Sequence, residues 1–314
     1  MLLTLAQATA GLAMLFFGGE FLLRGAAGLA TRLGISQLAI GLTVVAFGTS
    51  APEMVVSLDA AMAGANDISV GNVVGSNIAN IALILGLAAM LKPATVEAKI
   101  VRIDAPIMIV VSLALVGALA DGTVSRREGA ILALSLLGYL VFTFWEARRE
   151  SRAVREELAT AAPEPPSGPL TGTLLAVSGL ALLVGGGHLL VDSAITLATL
   201  FGISQAVIGL TIVAVGTSLP ELATSVIASL RGQGDIAAGS VVGSNIFNIL
   251  GIMGLTALVH PLASGGITRV DLATMVGLAA IVTVLLSAQR CIGRAAGGFL
   301  LAAYAGYTAW LLLS

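Results

Sequence analysis

Two glutamates at matching places define the chemistry open to this chain. Glu53 closes the run Gly48-Thr49-Ser50-Ala51-Pro52-Glu53, and Glu221 closes Gly216-Thr217-Ser218-Leu219-Pro220-Glu221. A second pair of polar runs follows, Gly75-Ser76-Asn77-Ile78-Ala79-Asn80 and Gly243-Ser244-Asn245-Ile246-Phe247-Asn248. Helical residues four apart share a face, so Thr49 stands beside Glu53, with Ala46 and Ser50 in the next row, and Ser76 stands beside Asn80. Ala214, Thr217, Ser218, Glu221, Ser244 and Asn248 repeat the pattern. Pro52 has no N–H for the carbonyl of Gly48, and its ring pushes that carbonyl aside, so carbonyls near Ala46 to Gly48 are expected to be free for a ligand. Carboxylates, hydroxyls, amides and carbonyls are all hard oxygen donors. Ca2+ takes roughly six to eight of them, and Na+ follows the same logic. Zinc or copper would call for thiolates or imidazoles, which the set lacks.

The two sets of residues belong to a duplication. Gly34 to Met90 aligns without a gap on Gly202 to Leu258 at a constant offset of 168, and 33 of the 57 pairs are identical. A duplicated, Pro-broken, carboxylate-bearing segment in apolar sequence is the strongest pointer to a transporter's substrate site. A carboxylate at mid-membrane costs about 3 kcal/mol or more, so Glu53 and Glu221 are functional candidates. Asn77 and Asn245 fall off the shared face and are read as packing residues, as are Gly71, Gly75, Gly239 and Gly243. Asp67 and Asp235 repeat where spans 3 and 8 begin and are read as helix N-caps, with a cation-attracting vestibule as the alternative. Glu20 and His188 occupy matching places near span ends and are read as interfacial. Asp59 has no acidic mate and is left unassigned.

The elements that must position these groups are membrane helices. The chain is 57% apolar and 10% charged, against about 25% charged in a soluble domain. Mean hydropathy is +1.03. Basic residues are few and scattered, which excludes nucleic acid as a partner, and no protein partner is implied. One cysteine, Cys291, excludes an internal disulfide, and with only two histidines there is no structural zinc set. The N-terminus has no basic stretch or cleavage site before its apolar run and reads as a first span. A span needs about 20 mostly apolar residues. Ten are expected, near 3–23, 38–62, 70–91, 104–120, 128–145, 171–191, 205–229, 237–259, 271–288 and 295–312. The fold class is therefore an all-α membrane protein of ten transmembrane helices. A first five-helix repeat occupies 1–145, a polar, Pro-rich cytoplasmic linker 146–169, and a second repeat 170–314. Five spans per repeat force the second copy to insert inverted.

Lys and Arg in the loops set the orientation. With the linker in the cytoplasm, Arg24, Arg32, Lys92, Lys99, Arg102, Arg148, Arg149, Arg152, Arg155, Arg231, Arg290 and Arg294 are cytoplasmic, and only Arg126, Arg127 and Arg269 are outside. Both termini are then outside. The economical loops fit a prokaryotic inner membrane.

Gly-Thr-Ser-x-Pro-Glu followed by Gly-Ser-Asn-Ile, present twice, closely resembles the α-repeats of the sodium/calcium exchanger branch of the cation/Ca2+ exchanger superfamily. The resemblance covers both duplicated segments in detail. It implies two inverted five-helix repeats, with cation sites midway between spans 2, 3, 7 and 8. The ligands it implies are Glu53, Thr49, Ser50, Ser76 and Asn80 with Glu221, Thr217, Ser218, Ser244 and Asn248, joined by backbone carbonyls near Ala46 and Ala214. It also implies that spans 1 and 6 slide across the rest to alternate access. Some members, including potassium-dependent ones, carry Asp at the position of Asn248. Here both asparagines are neutral, so the two glutamates give a charge of −2 that one Ca2+ neutralises.

The expected function is antiport of Ca2+ against Na+ at overlapping sites, with no cofactor beyond the transported ions. Proton-coupled Ca2+ or Mn2+ exchange is the alternative, with Glu53 and Glu221 carrying the protons. That branch usually shows a Gly-Asn-x-x-Glu core, whereas this chain places hydroxyls there. A membrane enzyme is disfavoured because no histidine lies near a Ser or Asp motif at mid-span. The topology has a direct test: reporter fusions after Arg152 and after Ser314 should report opposite sides of the membrane, and reports from the same side would break the five-plus-five inversion.

Overall fold

The computed structural model describes residues 2–33, 45–64, 66–149, 169–200 and 214–313. Helix α1 spans Leu2–Leu33. Two helices follow in one broken span, α2 (Ala46–Thr49) and α3 (Ala51–Met62). Next come α4 (Asn66–Leu91), α5 (Ile100–Ala118) and α6 (Arg126–Arg149). The second half repeats the order: α7 (Pro169–Leu200), the broken pair α8 (Ala214–Thr217) and α9 (Leu219–Leu230), then α10 (Gly234–Val259), α11 (Arg269–Gln289) and α12 (Arg294–Leu313). Helices are found in the described part of every expected span. The linker lies almost wholly outside the described residues, as do the first parts of spans 2 and 7. Among the described residues, five helices are long and apolar enough to cross a membrane by length and composition.

Spans 1 and 6 are longer than their apolar runs imply. The expected end of span 1 falls at Arg24, the first charge after Glu20, yet α1 continues to Leu33. A charge ends an apolar run but not a helix, because Arg is a good helix former, and Arg24 also pairs with Glu20 one turn earlier.

The two halves are related by a pseudo-twofold axis that reverses direction. Helices α1 and α7 are repeat mates and pack antiparallel along their length. A Cβ placed on Gly186 would meet the Gly11 carbonyl at 2.8 Å, and one on Gly18 would meet the Gly179 carbonyl at 2.9 Å. One on Gly25 would reach the Gly172 carbonyl at 2.7 Å. The partner numbers fall as the α1 numbers rise, so the mates run in opposite senses. The same inversion appears elsewhere: α4 crosses α12 at Gly86 and Gly297, and α10 crosses α6 at their mates Gly254 and Gly129. Two short ribbons cap the ends. Strand β1 (Ala94–Thr95) pairs antiparallel with β4 (Cys291–Ile292), and β2 (Thr123–Val124) pairs with β3 (Leu262–Ala263). Each ribbon ties one repeat to the other. The chain is an all-α membrane protein built from two inverted five-helix repeats.

Helices α4 and α10 form the centre. The apolar windows of these two are 78% and 89% buried, against 28% for α6, whose face is left to lipid. The core of buried Val70, Val74, Ile78, Ile81 and Ile84 meets Val241, Val242, Ile246 and Ile249 across the axis. Outer helices are pinned by tyrosine hydroxyls: the buried Tyr139 hydroxyl of α6 donates to Asp104 Oδ1 of α5 at 3.1 Å, and that of its half-buried mate Tyr307 donates to Asp271 Oδ1 at 2.7 Å. Helix α11 opens with a capping box in which Thr268 and Asp271 serve each other's backbone.

Gly71 and Gly75 are not the tight crossings expected of them. A Cβ on Gly75 would meet nothing within 4 Å, and one on Gly71 would meet only Ile267 Cδ1 at 3.6 Å. Small residues spaced by four permit close approach without requiring it. Here the close approaches fall on the α1–α7 seam and on the α4–α12 and α6–α10 crossings. Substituting Gly18 by Val should therefore destabilise the protein by about 1–3 kcal/mol, the cost of overpacking, and lower the melting temperature of the detergent-purified protein. Gly138→Ala, at a position where a Cβ meets nothing within 4 Å, should leave it unchanged. Equal melting temperatures for Gly18→Val and wild type would contradict the α1–α7 packing.

Candidate cation site

The site begins with two helix breaks. Ser50 turns the chain between α2 and α3 with φ −84° and ψ 9°, and Ser218 does the same between α8 and α9 with φ −88° and ψ 8°. Pro52 and Pro220 sit at the second residue of α3 and α9, where a missing N–H costs nothing. Each break starts a new helix inside the membrane. Glu53 and Glu221 lie in the first turn of these helices, where the unpaired backbone N–H groups favour negative charge. The sequence thus places each carboxylate at the positive end of its own half-helix.

Both carboxylates are fully buried, and each is held by the opposite repeat. Ser50 Oγ donates to Glu221 Oε1 at 2.7 Å, and its mate Ser218 Oγ donates to Glu53 Oε1 at 3.0 Å. Ser218 Oγ also lies 3.2 Å from Ser76 Oγ. The second carboxylate oxygens, Glu53 Oε2 and Glu221 Oε2, have no hydrogen-bond partner, and neither have Asn80 Oδ1, Asn248 Oδ1 and Ser244 Oγ. All five residues are fully buried. A buried polar atom without a partner costs about 1–3 kcal/mol, so five together need an explanation. All five are oxygens that can accept, and one hard cation would satisfy them together.

The asparagines are ordered by a network at the pseudo-twofold axis. Asn77 Nδ2 donates to the Asn245 carbonyl and Asn245 Nδ2 to the Asn77 carbonyl, both at 3.4 Å. Asn80 Nδ2 donates to Asn245 Oδ1 and Asn248 Nδ2 to Asn77 Oδ1, both at 3.1 Å. Asn77 and Asn245, expected to be packing residues, are therefore hydrogen-bonded to the site asparagines. At this level both repeats leave the α form: π-helical turns run from Asn80 to Leu85 and from Asn248 to Met253. Such turns recur at functional sites because they re-aim side chains. Apolar periodicity does not reveal them.

The ligand set expected from the sequence omits one residue of the site, Asn72. Its Nδ2 donates to the Glu53 carbonyl at 3.2 Å and to Ser57 Oγ at 3.0 Å, and its Oδ1 accepts from Thr217 Oγ1 at 3.3 Å. The signal in the sequence is a break in the repeat, since the mate of Asn72 is Ser240. In the second half, Ser225 Oγ and Ser240 Oγ are buried without partners. The half-sites are therefore not equivalent.

Three expectations are corrected, those for the Ala46 carbonyl, Asp67 and Asp235. The Ala46 carbonyl is not freed: it accepts the Ser50 N–H at 3.0 Å and the Thr49 hydroxyl at 3.3 Å. In the second repeat the Ser218 N–H goes to Val215 at 3.2 Å instead of to Ala214. Asp67 and Asp235 do not cap their own helices. Asp67 Oδ1 accepts the Gly266 N–H at 2.8 Å and Asp235 Oδ1 accepts the Glu97 N–H at 2.6 Å, so each ties its helix to a loop of the other repeat. Their carboxylates act across the axis because those loops present backbone N–H groups to them. Glu20 pairs with Arg24 and with Arg231 of the loop after α9, while its mate His188 is exposed. Arg24, Arg231, Lys92, whose ammonium lies by Gly232, and the β1–β4 ribbon share one end of the molecule. The Asp59 side chain lies outside the described residues.

Comparison with known proteins gives this arrangement a family. The family model described as sodium/calcium exchanger protein matches residues 3–145 and 171–313, one match for each repeat. The putative antiporter CaxA of Alkalimonas amylolytica is 41% identical over 312 residues, covering 97% of each chain. Inner membrane protein YrbG of Escherichia coli K12 is 41% identical over 268 residues, covering 83% of this chain and 81% of its own. Crystals of the sodium-calcium exchanger NCX_Mj soaked with Na+ and Ca2+ contain a chain that superposes with a TM-score of 0.85 at 31% identity, over 98% of both chains. The chain therefore belongs to the sodium/calcium exchanger family and is a cation/Ca2+ exchanger.

Proposed function

We propose that the chain exchanges one Ca2+ for Na+ by alternating access, and that both ions use the oxygens around Glu53 and Glu221. The observation that carries this reading is the set of five buried, unpartnered oxygens, with no unpartnered side-chain nitrogen facing them among the described residues. Glu53 Oε2, Glu221 Oε2, Ser244 Oγ, Asn80 Oδ1 and Asn248 Oδ1 supply five donors, and Thr49, Ser50, Ser76, Thr217 and Ser218 lie beside them with hydroxyl lone pairs to add. The Ala214 carbonyl, which the Ser218 N–H bypasses for Val215, can join them. Such a count suits Ca2+.

Charge decides how the ions share the site. Two glutamates and two neutral asparagines give −2, which one Ca2+ cancels. Ca2+ and several Na+ together would leave an excess of charge in a poorly solvated site, so the two loads alternate. Three Na+ in place of one Ca2+ would leave +1 and make exchange electrogenic. The α1–α7 pair is the moving part. It packs on itself more extensively than on anything else described, and α1 touches the core chiefly at α9, where a Cβ on Gly19 would meet Ile227 Cδ1 at 2.7 Å. The clustering of Arg24, Lys92 and Arg231 at one end supports placing that end in the cytoplasm, with both termini outside. A bacterial-type inner membrane fits the similarity to YrbG.

Two measurements test this reading. Glu53→Gln or Glu221→Gln keeps an acceptor for Ser218 or Ser50, so the protein should insert and purify normally. Ca2+ flux in proteoliposomes should nonetheless fall by about a hundredfold or more, the scale of removing one partner of a buried charge pair. Near-wild-type flux in either variant would remove the two-carboxylate site. Coupling is tested with wild type: an outward Na+ gradient should drive Ca2+ uptake, and a pH gradient at fixed Na+ should add little. Full-rate uptake driven by protons in Na+-free buffer would instead establish the proton-coupled exchange of Ca2+ or Mn2+.

A further inference from the structure

We propose that Asn77 and Asn245 are positioning residues for cation binding, each fixing which end of an asparagine amide from the opposite repeat faces the ion. The proposal rests on the cation site described above. An asparagine carries oxygen on one side of its amide and NH2 on the other, and only the oxygen can ligate a cation. Asn80 and Asn248 contribute to the site only if that choice is made for them.

The choice follows from the surroundings of Asn77 and Asn245. Near the Nδ2 of Asn77 lie the Asn245 carbonyl at 3.4 Å and Met275 Sδ at 3.9 Å. Near the Nδ2 of Asn245 lie the Asn77 carbonyl at 3.4 Å and Met108 Sδ at 3.5 Å. A carbonyl and a thioether have no hydrogen to give, so the NH2 group must point at them. That leaves Asn77 Oδ1 toward Asn248 and Asn245 Oδ1 toward Asn80, each at 3.1 Å from the other amide's Nδ2. Those oxygens accept only, so Asn248 and Asn80 must present NH2 to the axis and turn Oδ1 the other way. Both Oδ1 atoms are buried and unpartnered. Polarity passes outward from backbone carbonyl to ligand oxygen through two amides, once in each direction about the axis. The four residues lie on α4 and α10, the most enclosed helices, where no water is needed to complete the relay.

Leu in place of Asn77 keeps the size of the side chain and removes the acceptor. Asn248 is then free to rotate and present NH2 to the ion. The affinity for Ca2+ should fall while a packing role would show mainly in stability. The test is a double-mutant cycle on the half-saturating Ca2+ concentration for uptake, measured in proteoliposomes with wild type, Asn77→Leu, Asn248→Ala and the double variant. Each single variant should raise this concentration about tenfold, the scale of one charge-assisted contact. The double variant should match Asn248→Ala alone, because Asn77 acts only through Asn248. Multiplied effects in the double variant, or an unchanged value for Asn77→Leu beside a raised one for Asn248→Ala, would overturn the positioning role and leave the cation site standing. An unchanged value for Asn248→Ala would remove Asn248 as a ligand and take the proposal with it. The cycle with Asn245→Leu and Asn80→Ala is the inverted copy and distinguishes the same outcomes if Asn77→Leu does not fold.

Discussion

The constraint on which this molecule depends is the burial of two carboxylates at mid-membrane. Each costs several kcal/mol to desolvate, and neither has a basic partner among the described ion pairs. The fold answers with hydroxyls from the opposite repeat, Ser50 to Glu221 and Ser218 to Glu53, and with the amino ends of the half-helices that Pro52 and Pro220 create. These contacts satisfy one oxygen of each carboxylate and leave the other exposed to an ion. Neither repeat can do this alone, because the serine that serves each glutamate comes from the other copy. Inversion of the repeats is therefore a condition of the chemistry and not only a matter of descent.

Departures from the twofold plan carry as much meaning as the plan. Asn72 links Thr217 to the Glu53 backbone, whereas Ser240 in its place links nothing. The Glu20–Arg231 pair ties α1 to the loop after α9, while the mates of these two residues are the exposed His188 and Ala63, which have no such pair. The twofold plan therefore holds for the fold and not for every contact. The differences lie beside Glu53 and at one end of the α1–α7 pair.

Much of this is legible in the sequence because inverted repeats write each constraint twice. The spans, the broken helices at Ser50 and Ser218, and the pairing of Glu53 with Glu221 all follow from matched residues under one offset. What is not legible depends on contacts between repeats. Asp67 and Asp235 look like caps because they open helices, but their partners, Gly266 and Glu97, lie far away in sequence. Asn77 and Asn245 look like packing residues because a side chain off the ligand face has no visible task until its axial neighbour is known. The π turns after Asn80 and Asn248 shift the helix by a fraction of a turn, which apolar periodicity does not resolve. Gly75 looks like a crossing point and is not one, because spacing alone cannot say which face of a helix another backbone approaches.

The central claim is that Ca2+ and Na+ are held in turn by one set of buried oxygens carrying two negative charges. Equilibrium binding of Ca2+ to the purified protein at increasing Na+ tests it most directly, without any gradient or vesicle. The apparent dissociation constant for Ca2+ should rise with Na+ more steeply than in direct proportion, because more than one Na+ replaces each Ca2+. A constant that does not change with Na+ would mean that the two ions do not share these oxygens, and would contradict the account.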